Sequence, residues 1–253
     1  MKQLFWLIAC LPAALGAAHL QPWTGRDLEI ISQAELGLSS NALFLDLSAR
    51  TSYIQFSGEF EANFAHSKYQ RGLEGDALAL TGRYQLSNDV IGDPLSAWVG
   101  ITARKVFTNG LHDPTCFYHG GVEGELHGAL GKEWSCEQFW TRRVWGYTAI
   151  GFADLGRPWL SVGAAWERNW WDINRVALFL ESEKGFGAKK LHKYHFKGYG
   201  PVRYAYLQFG AKYAHQWEFG GIGEVALRYR PLAKHCPKHW LELRLAFVYP
   251  FGL

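Results

Sequence analysis

The sequence predicts an all-β fold: a closed antiparallel transmembrane β-barrel of about twelve strands, with ten as the alternative count. Three observations lead there: apolar and polar residues alternate in segment after segment, many segments are long, and no helical segment is left to cover the apolar faces. Soluble strands cluster at about 5 to 6 residues, whereas a tilted strand needs about 9 to 11 to cross hydrocarbon. A closed barrel in lipid accounts for all three, because lipid covers the apolar face and closure leaves no unpaired backbone edge.

The N-terminus has the features of an export signal. Lys2 precedes an apolar stretch from Leu4 to about Leu15, and small residues follow up to Ala18. This stretch is short for a transmembrane helix, and no later segment reaches the roughly 20 apolar residues such a helix needs. We expect residues 1–18 to be a signal peptide and residues 19–253 to form a single barrel domain. An alternative, a lipoprotein signal acylated at Cys10, would leave an unusually short hydrophobic region.

The composition fits one exported domain and excludes some partners. The 253 residues carry a formal charge of +3 and include 12 Trp and 12 Tyr, residues that gather where an apolar surface meets water. We find no basic stripe and no reading helix, so no nucleic-acid partner is expected. No cofactor is expected either. The cysteines that would remain after signal removal lack the close spacing of a metal site, so no metal is predicted.

The alternation is clearest in the last segment, LELRLAFVYPFGL, from Leu241 to Leu253. One parity carries only Leu, Phe and Tyr, whereas the other begins with Glu242 and Arg244. The same test applied along the chain predicts strands near 28–38, 42–48, 52–65, 76–87, 95–107, 117–131, 138–153, 158–168, 173–184, 201–214, 217–230 and 239–251. The strand count depends most on the segment 42–48.

This last segment resembles the C-terminal strand of bacterial outer-membrane β-barrel proteins. Such strands alternate apolar residues, usually end on an aromatic residue, and are read by the barrel-assembly machinery. Leu253 departs from that ending, while Phe251 keeps the parity. The resemblance covers about the last dozen residues and points to no specific family. It implies location in the cell outer membrane, contact with membrane lipid and lipopolysaccharide, and an interaction of this strand with the assembly machinery.

A twelve-strand barrel of this class would have both termini in the periplasm. Counting back from the C-terminus predicts outer loops at 66–75, 108–116, 154–157, 185–200 and 231–238, with a tight turn at 39–41. An aromatic girdle is then expected from Trp98, Trp134, Trp140, Trp166, Trp170, Trp171 and Trp217 near the periplasmic ends and from Trp159 and Trp240 at the other rim. Cys116 and Cys236 fall on one side, and we predict that any disulfide joins them. Cys136 falls on the other side.

The polar faces of the strands supply the candidates for function. The lumen-facing charged candidates are Glu59, Glu61, Arg83, Arg104, Glu123, Glu125, Arg175, Glu181, Lys212, Glu224, Arg228, Glu242 and Arg244. In a barrel of this size they would either pair across strands and fill the interior or line a narrow aqueous pore. We therefore expect an integral outer-membrane barrel with a structural or passive small-solute channel role.

A basic loop and two alternative functions remain open. Lys189, Lys190, Lys193 and Lys197 lie in one predicted outer loop and would suit lipopolysaccharide phosphates. An outer-membrane phospholipase, deacylase or acyltransferase would need a nucleophile beside a base at the rim. His66 and Ser67 are adjacent, so on a strand they would point to opposite faces. Catalytic residues therefore cannot be assigned, and an enzyme is not the favoured interpretation. A soluble exported β-sandwich that binds a ligand is the second alternative.

Overall fold

A computed structural model describes residues 21–23, 27–67, 72–136, 139–191 and 196–252. In these ranges the chain forms a closed barrel of twelve antiparallel strands, in which each strand pairs with the next and β12 pairs with β1. The strands are β1 (Ile30–Ser39), β2 (Ala42–Tyr53), β3 (Phe56–Ser67), β4 (Glu74–Ser87), β5 (Ser96–Val106), β6 (Val122–Cys136), β7 (Phe139–Ala153), β8 (Trp159–Trp170), β9 (Asn174–Gly185), β10 (Ala205–Gln216), β11 (Ile222–Lys234) and β12 (Trp240–Phe251). The predicted fold class and strand number are confirmed. The predicted signal peptide, residues 1–18, lies outside the described residues.

Closure joins the two ends of the chain. β12 pairs with β1 from Ile30 opposite Phe251 to Ser39 opposite Glu242. Its other edge pairs with β11, from Ile222 opposite Val248 to Arg230 opposite Trp240. A closed single sheet excludes the soluble-sandwich alternative. Among the residues described, no helix is long and apolar enough to span a bilayer.

The barrel is apolar outside and polar inside, the reverse of a soluble protein. On β4, Leu80 is 64% exposed on the outer surface, whereas its neighbour Thr81 is 4% exposed in the interior. On β12, Leu241 and Leu245 are exposed outside, and Glu242 is buried inside. The same alternation recurs on the other strands. Such an outer surface is stable against hydrocarbon but not against water.

The two ends of the barrel differ. We call the end that carries residues 21–23 and 252 the periplasmic end, and the opposite end the outer end. At the outer end the connections include 107–121 and 186–204, whereas several periplasmic connections are short, such as 54–55 and 171–173, and the connection 88–95 is longer. A one-turn helix, α1 (Thr108–His112), begins the first long outer loop, and a 3-10 turn at Asp89–Ile91 lies at the periplasmic end.

The strand bounds differ from prediction around the outer loops. Residues 117–121 were expected to begin a strand, but β6 begins at Val122. Phe117 has a φ of 53°, a left-handed conformation that an extended strand does not allow, so the chain turns there. The segments predicted at 201–214 and 217–230 are Ala205–Gln216 and Ile222–Lys234. In each case a loop or turn occupies the residues expected to begin the strand.

The tryptophans divide between the outer surface and the interior. At the periplasmic end Trp134, Trp166, Trp170, Trp171 and Trp217 are exposed on the outside, as girdle residues are. The girdle prediction is wrong for Trp98, Trp159 and Trp240, which are buried in the interior. The side chains of these three point inward. The girdle prediction used only their position near a strand end, and that position does not say which face of the strand a side chain occupies.

Candidate functional site

The barrel interior is the candidate functional site. The lumen-facing candidates all occupy inward positions, and each is buried or half-buried: Glu59, Glu61, Arg83, Arg104, Glu123, Glu125, Arg175, Glu181, Lys212, Glu224, Arg228, Glu242 and Arg244. Several are paired across the lumen wall: Arg83 with Glu59 at 2.6 Å, Arg104 with Glu123 at 2.9 Å, and Lys212 with Glu224 at 3.0 Å. A buried charge is costly unless it is paired, so these contacts let a charged interior exist.

Arg244 compensates three carboxylates from three strands. Its Nη1 contacts Glu35 of β1 and lies 3.0 Å from Asp46 of β2, and its Nε donates to Glu242 of β12 at 2.5 Å. Asn63 also donates to Asp46, at 2.9 Å. The cluster spans the seam where the first and last strands meet, so one arginine couples barrel closure to the interior charge balance.

Two cavities lie one above the other along the barrel. The outer cavity has a volume of about 150 Å³, and its lining reaches Thr115 and Phe117 of the first long outer loop. The inner cavity has a volume of about 100 Å³, and its lining reaches Gln21 at the periplasmic end. Both are lined by Gln33, Glu35, Arg228 and Arg244. These four polar side chains therefore border both spaces.

Two long loops narrow the outer mouth. Residues 113–120 are all buried, although a surface loop would ordinarily be exposed. The amide of Tyr199 donates to the carbonyl of Tyr118 at 2.7 Å, and the amide of Gly200 donates to that of His119 at 3.0 Å. Phe117 stacks on Tyr199, with centroids 4.9 Å apart. The loop 107–121 is therefore held inside the mouth by the loop 186–204.

His119 is the buried polar centre of this mouth. Its ring stacks on Trp159 with centroids 3.6 Å apart, and its Nε2 lies 2.5 Å from the Tyr204 hydroxyl. Carboxylate oxygens of Glu123 and Glu183 each lie 3.6 Å from a ring nitrogen. Burial alone would lower the pKa of His119, but the two carboxylates outweigh it and raise the pKa to about 9. The imidazole is therefore protonated at neutral pH.

The N-terminal segment 21–23 occupies the periplasmic mouth. Trp23 packs edge-on against Trp145, with centroids 5.8 Å apart, and the Arg143 guanidinium lies 4.7 Å from the centroid of the Trp23 ring. The Trp98 indole donates to the Gln21 carbonyl at 2.8 Å. A Cβ added at Gly131 would lie 2.6 Å from Pro22, so this glycine leaves room for the segment. Gln21 to Trp23 thus narrow the lower opening.

Asp89 fastens this segment to the barrel. Its carboxylate accepts hydrogen bonds from Trp23 Nε1 at 3.0 Å, Ser96 Oγ at 2.5 Å and the Glu133 amide at 2.6 Å. Lys132 Nζ lies 3.6 Å away. Burial would raise the pKa of Asp89, but these donors and the lysine charge lower it below its ordinary value. Asp89 therefore stays ionised as an acceptor for Trp23.

The predicted disulfide is not formed. Cys116, Cys136 and Cys236 are free thiols. Cys116 and Cys236 do lie at the outer end, but in separate clusters: the Cys116 thiol donates to Asp76 at 3.2 Å, and the Cys236 thiol donates to the Ala205 carbonyl at 3.6 Å. The two sulfur atoms have different neighbours, so they are not in contact with each other. Burial raises the pKa of Cys236 to about 12, so this thiol is unreactive.

The remaining candidates lie at the outer end. Lys189, Lys190 and Lys197 are exposed on the loop 186–204, and Lys193 lies outside the described residues. His66 is exposed and Ser67 is buried, so the two point to opposite faces of β3. Over the described ranges, no group of three or more His, Cys, Asp or Glu side chains could hold a metal ion.

Sequence reasoning missed several residues of the interior. Asp46 and Arg50 lie on the parity opposite Leu43, Leu45 and Leu47, so alternation could have found both; the predicted strand ended at residue 48, before Arg50. Trp23 and Asp89 gave no such signal, because neither belongs to a strand. Arg230 is different, because the sequence already places it on the polar parity of its segment, two residues after Arg228, and the structure shows it buried in the interior. It joins the outer cavity as a lining residue.

Comparison with known proteins supports the fold. No family model and no curated protein matches this sequence. The solved structures that it resembles include the KdgM porin (TM-score 0.60, 9% identity, 88% of this chain and 99% of that one) and the NanC porin (0.62, 8%, 88% and 100%). An outer membrane channel from Pseudomonas putida F1 is also similar (0.62, 13%, 90% and 97%). The chain therefore has the fold of bacterial outer-membrane β-barrel porins.

Proposed function

We propose that this barrel lies in the bacterial outer membrane and acts as a narrow, passive channel for small polar solutes. The observation that carries the proposal is the pair of cavities along the barrel, which are lined by charged side chains and share Gln33, Glu35, Arg228 and Arg244 in their linings. A purely structural barrel would fill its interior with paired side chains, whereas this interior keeps two cavities. Charged and polar linings select among solutes that enter a pore.

The apolar outer surface and the solved structures support the location. Leu80, Leu126 and Leu241 are each more than half exposed on the outside, which only lipid can cover at low cost. The similar structures are porins or outer membrane channels by description, and two of them are covered almost entirely by this chain. At this level of sequence identity, the similar structures support only the fold. The proposal that the barrel conducts solutes rests on the cavities of this chain.

A liposome-swelling assay tests the solute channel. The refolded chain is placed in liposomes, which are diluted into isotonic solutions of neutral solutes of increasing size. We expect swelling with glycerol and none with the trisaccharide raffinose, because the two cavities, of about 150 and 100 Å³, are narrow. Liposomes with boiled protein serve as the control. No swelling with glycerol, from protein shown to be folded and inserted, would contradict the proposal.

We also infer two partners from surface features. Lys189, Lys190 and Lys197 are exposed at the outer end, where lipopolysaccharide phosphates would face them. The strand β12 would be the part read by the barrel-assembly machinery. Changing these three lysines to Gln should reduce the lipopolysaccharide that copurifies with the barrel, while Arg168→Gln, at an exposed position near the periplasmic end of β8, should not. Equal amounts of copurified lipopolysaccharide in the two variants would contradict the inference that these lysines bind lipopolysaccharide.

A further inference from the structure

Two arginines of β11 differ from the other cations of the outer cavity. Arg83, Arg104 and Arg244 each form a salt bridge. Arg228 and Arg230 form none with a carboxylate in the described part of the chain, although both are at least 95% buried. The Nε of Arg228 and the Nε and Nη1 of Arg230 have no hydrogen-bond partner among the described residues. Unmatched donors on a buried cation are costly.

The nearby acids are engaged elsewhere. Strand register places Arg228 opposite Glu242, but Arg244 Nε takes that carboxylate at 2.5 Å. Gln208 lies between Arg230 and Glu181: it accepts from Arg230 Nη2 at 3.0 Å and donates to Glu181 at 2.9 Å. Arg230 thus reaches an acid only through an amide. Both arginines line the outer cavity. Arg228 forms no hydrogen bond with the described residues and its two Nη atoms are not fully buried, so these are the donors that face a space a solute could enter.

Arg230 is held rigidly for recognition. Its guanidinium lies 4.1 Å from the centroid of the Phe117 ring and 3.9 Å from that of the Tyr206 ring. A guanidinium fixed between two rings loses little conformational entropy when it binds a ligand, and its planar donors match a carboxylate. Phe117 belongs to the inward loop 107–121, so that loop helps to build the site as well as to narrow the mouth.

We propose that Arg228 and Arg230 form a binding subsite for the carboxylate of a small solute in the outer cavity. Phe44, Phe64 and Trp240 also line this cavity, so the subsite suits a carboxylate attached to a flat apolar body. The proposal deepens the channel function and rests on it, since it names the solute class that the pore retains. The low dielectric of the buried site strengthens a charge-assisted contact there.

Binding to benzoate tests the subsite. Isothermal titration calorimetry on the refolded protein in detergent compares benzoate with benzamide, its neutral analogue. We expect benzoate to bind and benzamide not to. Arg228→Gln and Arg230→Gln should each raise the benzoate dissociation constant by about tenfold, as loss of a charge-assisted hydrogen bond does. Arg168→Gln, which removes an exposed arginine of β8 outside the lumen, should leave it unchanged.

Several outcomes would overturn the subsite. These are no benzoate binding, equal binding of benzoate and benzamide, or full benzoate affinity in both arginine variants. Heat-dependent migration on a detergent gel shows whether each variant is folded, and Arg230→Lys replaces Arg230→Gln if that variant fails. Planar-bilayer current with and without benzoate separates the two hypotheses. If the protein conducts current but does not bind benzoate, the channel function stands and the subsite is wrong. If it binds benzoate but conducts no current, the subsite stands and the channel function is wrong.

Discussion

At the scale of single residues, Arg244 holds the interior charge together. It contacts Glu35, Asp46 and Glu242, so its removal would leave three carboxylates facing one another in a largely buried cluster. We expect Arg244→Gln to lower the free energy of unfolding by about 3–5 kcal/mol, the cost of breaking a buried ion pair. Urea titration of the refolded barrel in lipid vesicles measures this loss.

Lys212→Gln is the matched control. Within the described residues, Lys212 forms a salt bridge with Glu224 only, and about a sixth of each side chain is still exposed, so solvent can compensate part of the loss. The variant should be destabilised by less than Arg244→Gln. Equal losses would mean that the three-carboxylate cluster has no special role.

His119 gives the outer mouth a defined pH dependence. Its pKa is raised from 6.5 to about 9, so the contribution of the imidazolium to stability is complete below pH 6.5 and is lost as the pH rises through 9. The difference in free energy of unfolding between the wild type and His119→Gln should therefore shrink across that window, by on the order of 3 kcal/mol. Urea titrations at pH 6, 7.5, 9 and 10 measure it. A difference that stays constant or grows would contradict the assigned protonation.

At the scale of elements, the segment 21–23 narrows the periplasmic mouth. Trp23 is held by Asp89, Trp145 and Arg143, and Trp98 holds the Gln21 carbonyl. Deleting residues 21–23 should raise single-channel conductance roughly twofold, because Gln21 lines the inner cavity and Trp23 packs beside it. Trp171→Ala, which alters an exposed tryptophan outside the barrel, is the control and should conduct like the wild type. Unchanged conductance after the deletion would show that the segment does not restrict the pore.

The elements also show how far sequence reasoning reaches. Strands such as β12 could be predicted because one parity is apolar throughout, and a barrel in lipid demands that pattern. The loop residues 117–121 could not, because Phe117 and Tyr118 resemble strand residues until the left-handed turn at Phe117 is known. Contacts such as Arg244 with Asp46 join residues 198 positions apart. Alternation gives the face of each residue, but only strand register gives its partner.

At the scale of the whole molecule, closure of the barrel makes the fold stable in lipid. Every strand has two hydrogen-bonded neighbours, so the sheet has no edge strand left unpaired. We expect the folded chain to migrate differently on a detergent gel before and after boiling, because a closed barrel resists the detergent until heated. The same migration in both samples would argue against a stable closed barrel.

The central claim is that this closed barrel conducts. The most direct test is single-channel recording of the refolded chain in a planar bilayer, beside a Glu59→Gln/Glu61→Gln variant. We predict discrete current steps in the wild type and a shift of ion selectivity toward anions in the variant, because both glutamates occupy inward positions of β3. A folded, inserted barrel that stays silent would contradict the claim and leave a packed interior with a structural role.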